Sequence, residues 1–354
     1  MNIKYIKHII ATRLLVLWGV VTLVFFLFNI LPADPARLTM GQRSDQASIE
    51  STRHDLNLDK SLFTRYFLYI NNLLPLSLNS RDSTSQKLYR YIPLAPVSAH
   101  SSLVIKWPYL GRSYRTRRPV TDILSEALPN TALLALVAML FATAAGILLG
   151  VLAALKKGTW MDTTAIAASV AGISMPSFFA GLLIAFVFGF LLHNYTGLNM
   201  TGSLYEYDPF TGRHLVLKNL ILPAFALGIR PLAVIAQLTR SSLLDTFSQD
   251  YIRTAYAKGL SKTRVVFRHA LPNALNPVIT AVSGWLAELL AGSFFVEYIF
   301  GWKGVGKITV DALDRFDFPL VMGSVLLNAL IFIVINIFTD LFYAWIDPRV
   351  RLAE

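Results

Sequence analysis

The chain alternates long apolar runs with short polar stretches, and runs of about 20 apolar residues mark helices that cross a bilayer. Six stand out, over 14–31, 131–155, 163–192, 220–238, 278–295 and 320–339. The third holds 30 residues without a charge, about 45 Å of helix against a hydrocarbon core of about 30 Å. Gly172, Pro176 and Gly181 fall inside it, so a kink or strong tilt is predicted. Broken helices at membrane depth line cavities, while Ala168, Gly172 and Ala180 equally suit close helix packing. Ionisable residues at membrane depth are few: Arg230 in the fourth run, Glu288 in the fifth, and Asp340 at the end of the sixth. Such groups face a bundle interior or a water-filled path, which makes Pro176, Arg230 and Glu288 candidates for lining a pathway.

The first and second runs are separated by a long polar loop, 32–128. Within it, 56–74 is predicted to be an amphipathic helix with Leu58, Leu62, Tyr66, Tyr69 and Leu73 on one stripe. Residues 79–102 are polar, Ser-rich and proline-punctuated, and predict an irregular insertion. Arg112, Arg115, Arg117 and Arg118 precede Pro119. A charge run of this kind reads first as a solvated face and second as a dock for an acidic partner.

Composition agrees with a membrane protein: 55% hydrophobic residues, 15% charged, and a mean hydropathy of +0.53. The net charge of +11 would indicate nucleic acid in a soluble protein; here anchoring at a cytoplasmic membrane face is the better reading, and no nucleic-acid partner is expected. The run after Lys4, Lys7 and Arg13 is long and lacks a cleavage site, so it reads as an uncleaved first span. Lys156 and Lys157, then Arg240, Arg253, Lys258, Lys262, Arg264 and Arg268, outnumber Asp162, Asp245 and Asp250 in the short loops on one side. The loop after the fifth run mixes Lys303, Lys307 and Arg315 with Glu297, Asp311, Asp314 and Asp317. Both termini are therefore predicted to be cytoplasmic. Zero cysteine excludes a disulfide scaffold and thiolate metal sites.

The most informative stretch is FSQDYIRTAYAKGLSKTRVVFRHALPNALNP, 247–277, five basic residues against one acid between two apolar runs. Ser248 is predicted to cap a short helix with Asp250 in its first turn. Tyr251, Ile252, Ala255 and Tyr256 form one apolar face. Lys258 ends the helix and Gly259 takes the left-handed C′ position. Ser261 opens a second basic helix, which Pro272 is predicted to terminate. The shape suits a partner's groove; the plain alternative is a positive-inside loop solvated by lipid headgroups. GWKGVGK, 301–307, matches the opening of a phosphate loop, but Ile308 stands where Ser or Thr would hold magnesium. It reads as a turn. No paired acids, HExxH or nucleophile elbow appears, so neither an enzyme nor a cofactor is expected.

The 248–277 loop resembles the signature of permease subunits in binding-protein-dependent ABC importers, E-A-A-x3-G-x9-I-x-L-P. Here it runs Arg253-Thr254-Ala255, three residues, Gly259, nine residues, His269-Ala270-Leu271-Pro272. PVTDILSEALPNTALLAL, KKGTWMD, ISMPSFFAGLL, FFVEYIFGWKGVGKI and INIFTDLFYAWIDPRVRL are similar to dipeptide and oligopeptide permeases in the same order, with Lys303 where relatives carry proline. The likeness covers 1–38 and 111–352, leaving 80–110 as an insertion. It implies an all-α polytopic fold: 1–31 with the first span, an extracytoplasmic loop over 32–128, a permease core over 129–346, and a cytoplasmic tail over 347–354. It also implies a bacterial inner-membrane permease, half of a pathway for peptides or similar solutes. The implied partners are a second homologous permease, two cytoplasmic ATPases, an extracytoplasmic solute-binding protein and membrane lipid. Tyr251, Arg253, Thr254, Ala255, Tyr256, Lys258, Gly259 and Leu260 would meet the ATPase. The rival classes are a secondary carrier, which calls for inverted repeats and several midplane charges, and a membrane receptor.

Overall fold

The computed structural model describes residues 3–30, 59–80, 89, 91–98, 101–210, 212–291 and 293–346. Over them the chain is mostly helical. It divides into two compact units, one holding 1–9, 127–308 and 330–354, the other 10–126 and 309–329. The predicted tail, 347–354, and most of the first loop's opening lie outside the described residues.

In the second unit, α1 (Ile3–Ile30) meets α2 (Leu62–Leu73), whose N-cap Ser61 accepts the Thr64 N–H at 3.3 Å. The predicted stripe on α2 faces α1. Tyr66 and Tyr69 lie 5.2 and 5.3 Å from Phe25, centroid to centroid, and the Thr22 and Tyr66 hydroxyls are 2.7 Å apart. Leu58, first on that stripe, is outside the described residues. Part of the stretch predicted to be irregular is ordered as an antiparallel sheet: β1 (Leu76–Ser80), β2 (Ile92–Pro96) and, between them, β3 (Ser101–Ile105). Its buried face carries polar Ser77, Asn79 and Ser102 while Leu76 and Leu78 are exposed. The period-two alternation is present in LSLNS, but inverted in polarity and cut by prolines.

The expectation of an all-α chain holds in the main but not throughout, since the described residues are mostly helical and also carry short strands. A hairpin of β4 (Tyr205–Asp208) and β5 (Gly212–Leu215) in the first unit adds a second small sheet. Both sheets are short and local, so a hydropathy reading tuned to long apolar runs passes over them.

The first unit is built on most of α3 (Val120–Leu155), with α4 (Trp160–Ser174), α5 (Ser177–Leu191, π-helical from Ala185) and α6 (Ile221–Phe247). After them in the chain come α7 (Asp250–Ala257), α8 (Lys262–Ala274), α9 (Asn276–Ala291) and α10 (Phe294–Ile299), then α11 (Val305–Asp314) and α12 (Phe318–Ile346), each divided between the units. Its core joins Leu134 and Ala138 of α3, Ile184 of α5, Leu227 and Ile235 of α6, and Phe300 and Trp302 beyond α10. Helices approach closely where side chains vanish. A Cβ on Gly150 would lie 2.6 Å from the Ala236 carbonyl, and one on Gly146 2.9 Å from that of Leu232. Gly172 packs the same way, its Cβ direction pointing at Ile229 and Ala233.

Among the described residues, four helical stretches are long and apolar enough to cross a membrane alone: Ala11–Ile30, Val120–Leu155, Leu217–Phe247 and Phe318–Asp340. Counting each bent pair, α4 with α5 and α8 with α9, as one brings the number to six. The predicted kink in the third run is a full break. α4 and α5 are bent by 110°, with Met175 before Pro176 held extended at φ −74° and ψ 127°, because the residue before a proline is driven out of helical backbone. The fifth run stops at Ala291 rather than Phe295, which belongs to α10.

Candidate functional site

From Asp250 to Ala274 the backbone folds as two short helices hinged at one glycine. α7 ends in a Schellman motif: the Leu260 N–H donates to the Ala255 carbonyl at 3.3 Å and the Gly259 N–H to that of Tyr256 at 2.9 Å, with Gly259 at φ +78°. The C-cap is Lys258 and Asp250 opens the first turn. Two local expectations are corrected. Gln249 is the N-cap, since Ser248 ends α6 and its hydroxyl donates backwards to the Asp245 carbonyl at 2.7 Å. Pro272 does not terminate the second helix; it lies in the first turn of the segment Leu271–Ala274, where its missing N–H costs nothing, after a π-helical Val266–Ala270.

The apolar face of α7 is also divided. Ile252 and Ala255 are buried with Val265, Val266, Ala270 and Ala274 of α8, Leu243 of α6, and Val151 and Ala154 of α3. Ala255 is thus spent on the chain's own core and is not free for a partner. Leu260 is half-buried against the same cluster. What remains outward is Tyr251, Arg253, Thr254, Tyr256, Lys258 and Gly259, continued by Lys262, Arg264, Phe267 and Arg268 on α8. Tyr251 accepts from the Asn273 amide at 3.2 Å, tying α7 to α8, and Arg253 reaches Asp250 at 3.5 Å with both ends in solvent. An exposed pair of this kind contributes little. The knuckle is held from beneath by apolar packing, and its upper face is basic and aromatic.

Pro176 marks the α4–α5 break and is exposed. Arg230 stands on α6 with its guanidinium 5.6 Å from the Trp285 ring of α9. Glu288 is exposed three residues further along α9, and no ion pair joins it to Arg230.

Two polar centres escaped the sequence reading. Arg240 of α6 grips Asp162 of α4 through both oxygens, Nε to Oδ1 at 2.5 Å and Nη2 to Oδ2 at 2.8 Å, and the Gly158 N–H adds 3.0 Å to Oδ2. Their 78-residue separation gives no local signal. The second centre is Glu297, fully buried on α10. Ser293 donates to its Oε1 at 2.7 Å and the Lys307 N–H to Oε2 at 3.2 Å; Thr131 and the Gly306 N–H add further bonds. Thr131 in turn accepts the Val305 N–H at 2.8 Å. Burial raises the Glu297 carboxyl above its ordinary range against the pull of those donors. The glycine turn that looks like a phosphate loop is thus a nest for the chain's own carboxylate at the start of α11. Gly304 cannot carry a Cβ, which would fall on Glu297 Oε2 and Thr131 Oγ1. The arginines at 112, 115, 117 and 118 are exposed, Arg118 pairing with Glu126, as a solvated face requires.

Apolar helices long enough to span, a proline-broken pair among them and one exposed basic knuckle define a multi-spanning membrane protein. Residues 146–352 match the family of binding-protein-dependent transport system inner membrane components, and residues 2–88 match the N-terminal part of such membrane components. The chain belongs to that family. It is 38% identical to the di/tripeptide transport system permease protein of Pseudomonas aeruginosa over 94% of both chains. The dipeptide transport system permease proteins of Haemophilus influenzae and Escherichia coli are 38% and 35% identical over 94% of this chain, covering 95% and 94% of their own lengths. The fold is similar to a chain of the MetNI methionine ABC transporter in an inward-facing conformation, with a TM-score of 0.50 at 16% identity, over 64% of this chain and 98% of that one.

Proposed function

We propose that this chain is the permease subunit of an ABC importer, forming half of a transmembrane route for short peptides or similar small solutes. Six crossings, with each bent pair as one, carry the route; both termini and the 248–277 knuckle face the cytoplasm, and the 32–128 loop lies outside. A second permease completes the pathway, two ATPase subunits supply the energy, and a solute-binding protein delivers cargo to the outer face. The relatives' peptide-transport names support the cargo class.

The observation that carries the coupling role is the two-sidedness of α7, whose Ile252 and Ala255 are anchored in the core while Arg253, Tyr256 and Lys258 face solvent. A rigid lever needs both faces: one to push on, one to transmit. ATP binding would close the partners, tilt the knuckle and rotate the helices under it; hydrolysis would reset them. The test exploits Gly259, where a Cβ meets nothing within 4 Å, so only the φ of +78° resists substitution. Gly259→Val should uncouple, with ATP-driven uptake in proteoliposomes falling at least about tenfold while the subunit still inserts, because β-branched residues are strongly disfavoured in left-handed backbone. Gly259→Asn, which tolerates that conformation, should retain most uptake. Equal uptake by the Val variant and the unaltered complex would refute the role.

A further inference from the structure

Arg230 poses an unsolved charge problem. It lies near the middle of the Leu217–Phe247 span, its Nε is buried without a hydrogen-bond partner, and no described carboxylate pairs with it. Among the described residues, its guanidinium lies 5.6 Å from the Trp285 ring. A ring face offsets part of the desolvation of a guanidinium, but it leaves the planar fork of N–H donors unused. Glu288, the acid nearest in sequence to Trp285, lies exposed on the next turn of α9 and makes no ion pair with Arg230. An unpaired cation at membrane depth is costly, and such residues persist where a ligand or a pathway requires them. The missing element is an anion with two acceptors, the geometry a carboxylate offers an arginine fork.

We propose that Arg230, backed by Trp285, is a way station for the carboxylate of the transported solute, such as the free C-terminus of a short peptide. The proposal rests on the transport reading above. Trp285 packs against the core of the first unit and holds the guanidinium from one side, so the fork is left for a passing ligand.

The test measures ATP-driven uptake of one peptide with a free C-terminus and of its C-terminal amide, side by side in the same proteoliposomes with the same binding protein. The preference for the free acid over the amide should fall roughly tenfold in R230Q relative to the unaltered complex, the loss of one charge-assisted fork. R230K, which keeps the charge but not the fork, should retain part of the preference. Because the readout is a ratio within one preparation, a smaller folded fraction does not move it. An unchanged ratio in R230Q overturns the assignment. So does equal loss of both peptides together with failure to co-purify with the second permease, which would give Arg230 a carboxylate of that subunit instead. Absence of ATP-driven uptake by the unaltered complex overturns the transport reading, and this inference with it.

Discussion

At the scale of single residues, Glu297 shows how a motif can be recognised and still be misunderstood. GWKGVGK gathers backbone N–H groups as a phosphate loop does, and the anion they receive is supplied by the preceding helix. Removing that acceptor leaves the buried Ser293, Thr131, Gly306 and Lys307 donors without it. Glu297→Ala should therefore cost about 3 kcal/mol, read as a lower unfolding midpoint in detergent, with Glu297→Gln costing less because its amide keeps one acceptor. The sign of the pH effect follows from burial. The folded carboxyl titrates above the unfolded one, so its contribution is fully present below the ordinary carboxylate range and is lost as pH rises through the raised value. Thermal unfolding followed across that window should show stability falling with rising pH, and the fall should flatten in Glu297→Gln. A slope that survives the substitution would place the titration elsewhere.

At the scale of elements, the chain was legible where one signal dominates. Long apolar runs gave the spanning helices, and Gly259 after Lys258 gave the end of α7, since a left-handed C′ glycine after a basic last turn has few other readings. Ser248 lost its cap locally, because α6 runs on to Phe247 and the Asp245 carbonyl takes the hydroxyl. Other failures share a cause: the competing partner was distant in sequence. Ala255 turned inward because Val151 and Ala154, a hundred residues earlier, form the seat beneath it. The Asp162–Arg240 pair was counted as two loop charges, though it fastens α4 to α6. Close packing at Gly146 and Gly150, spaced as in GxxxG, was written in the sequence and went unread. It yields a sharp expectation. Gly150→Leu must displace the Ala236 carbonyl and Thr239, so overpacking of about 3 kcal/mol or more is expected, measured as loss of the folded peak in size-exclusion chromatography. Gly284→Leu, where a Cβ meets nothing within 4 Å, should leave that peak intact.

At the scale of the whole molecule, the outstanding question is sidedness, and composition supplies the means to resolve it. The chain has no cysteine, so a single introduced thiol reports its own position without background. Two sites divide the possibilities. Lys258 lies on the exposed knuckle, and Lys303 lies in the turn between α10 and α11. The charge pattern assigns them opposite sides: arginines and lysines gather around the first, whereas the second shares its loop with Glu297, Asp311, Asp314 and Asp317. In intact cells, a membrane-impermeant maleimide should label Lys303→Cys and leave Lys258→Cys unreacted until the membrane is opened. The Lys303 backbone carbonyl accepts a hydrogen bond from the Asn130 side-chain amide at 2.7 Å, a contact the substitution preserves, so the labelled variant should fold. Labelling of Lys258→Cys from outside would put the knuckle on the wrong face for an ATPase and end the lever mechanism, whatever the relatives transport.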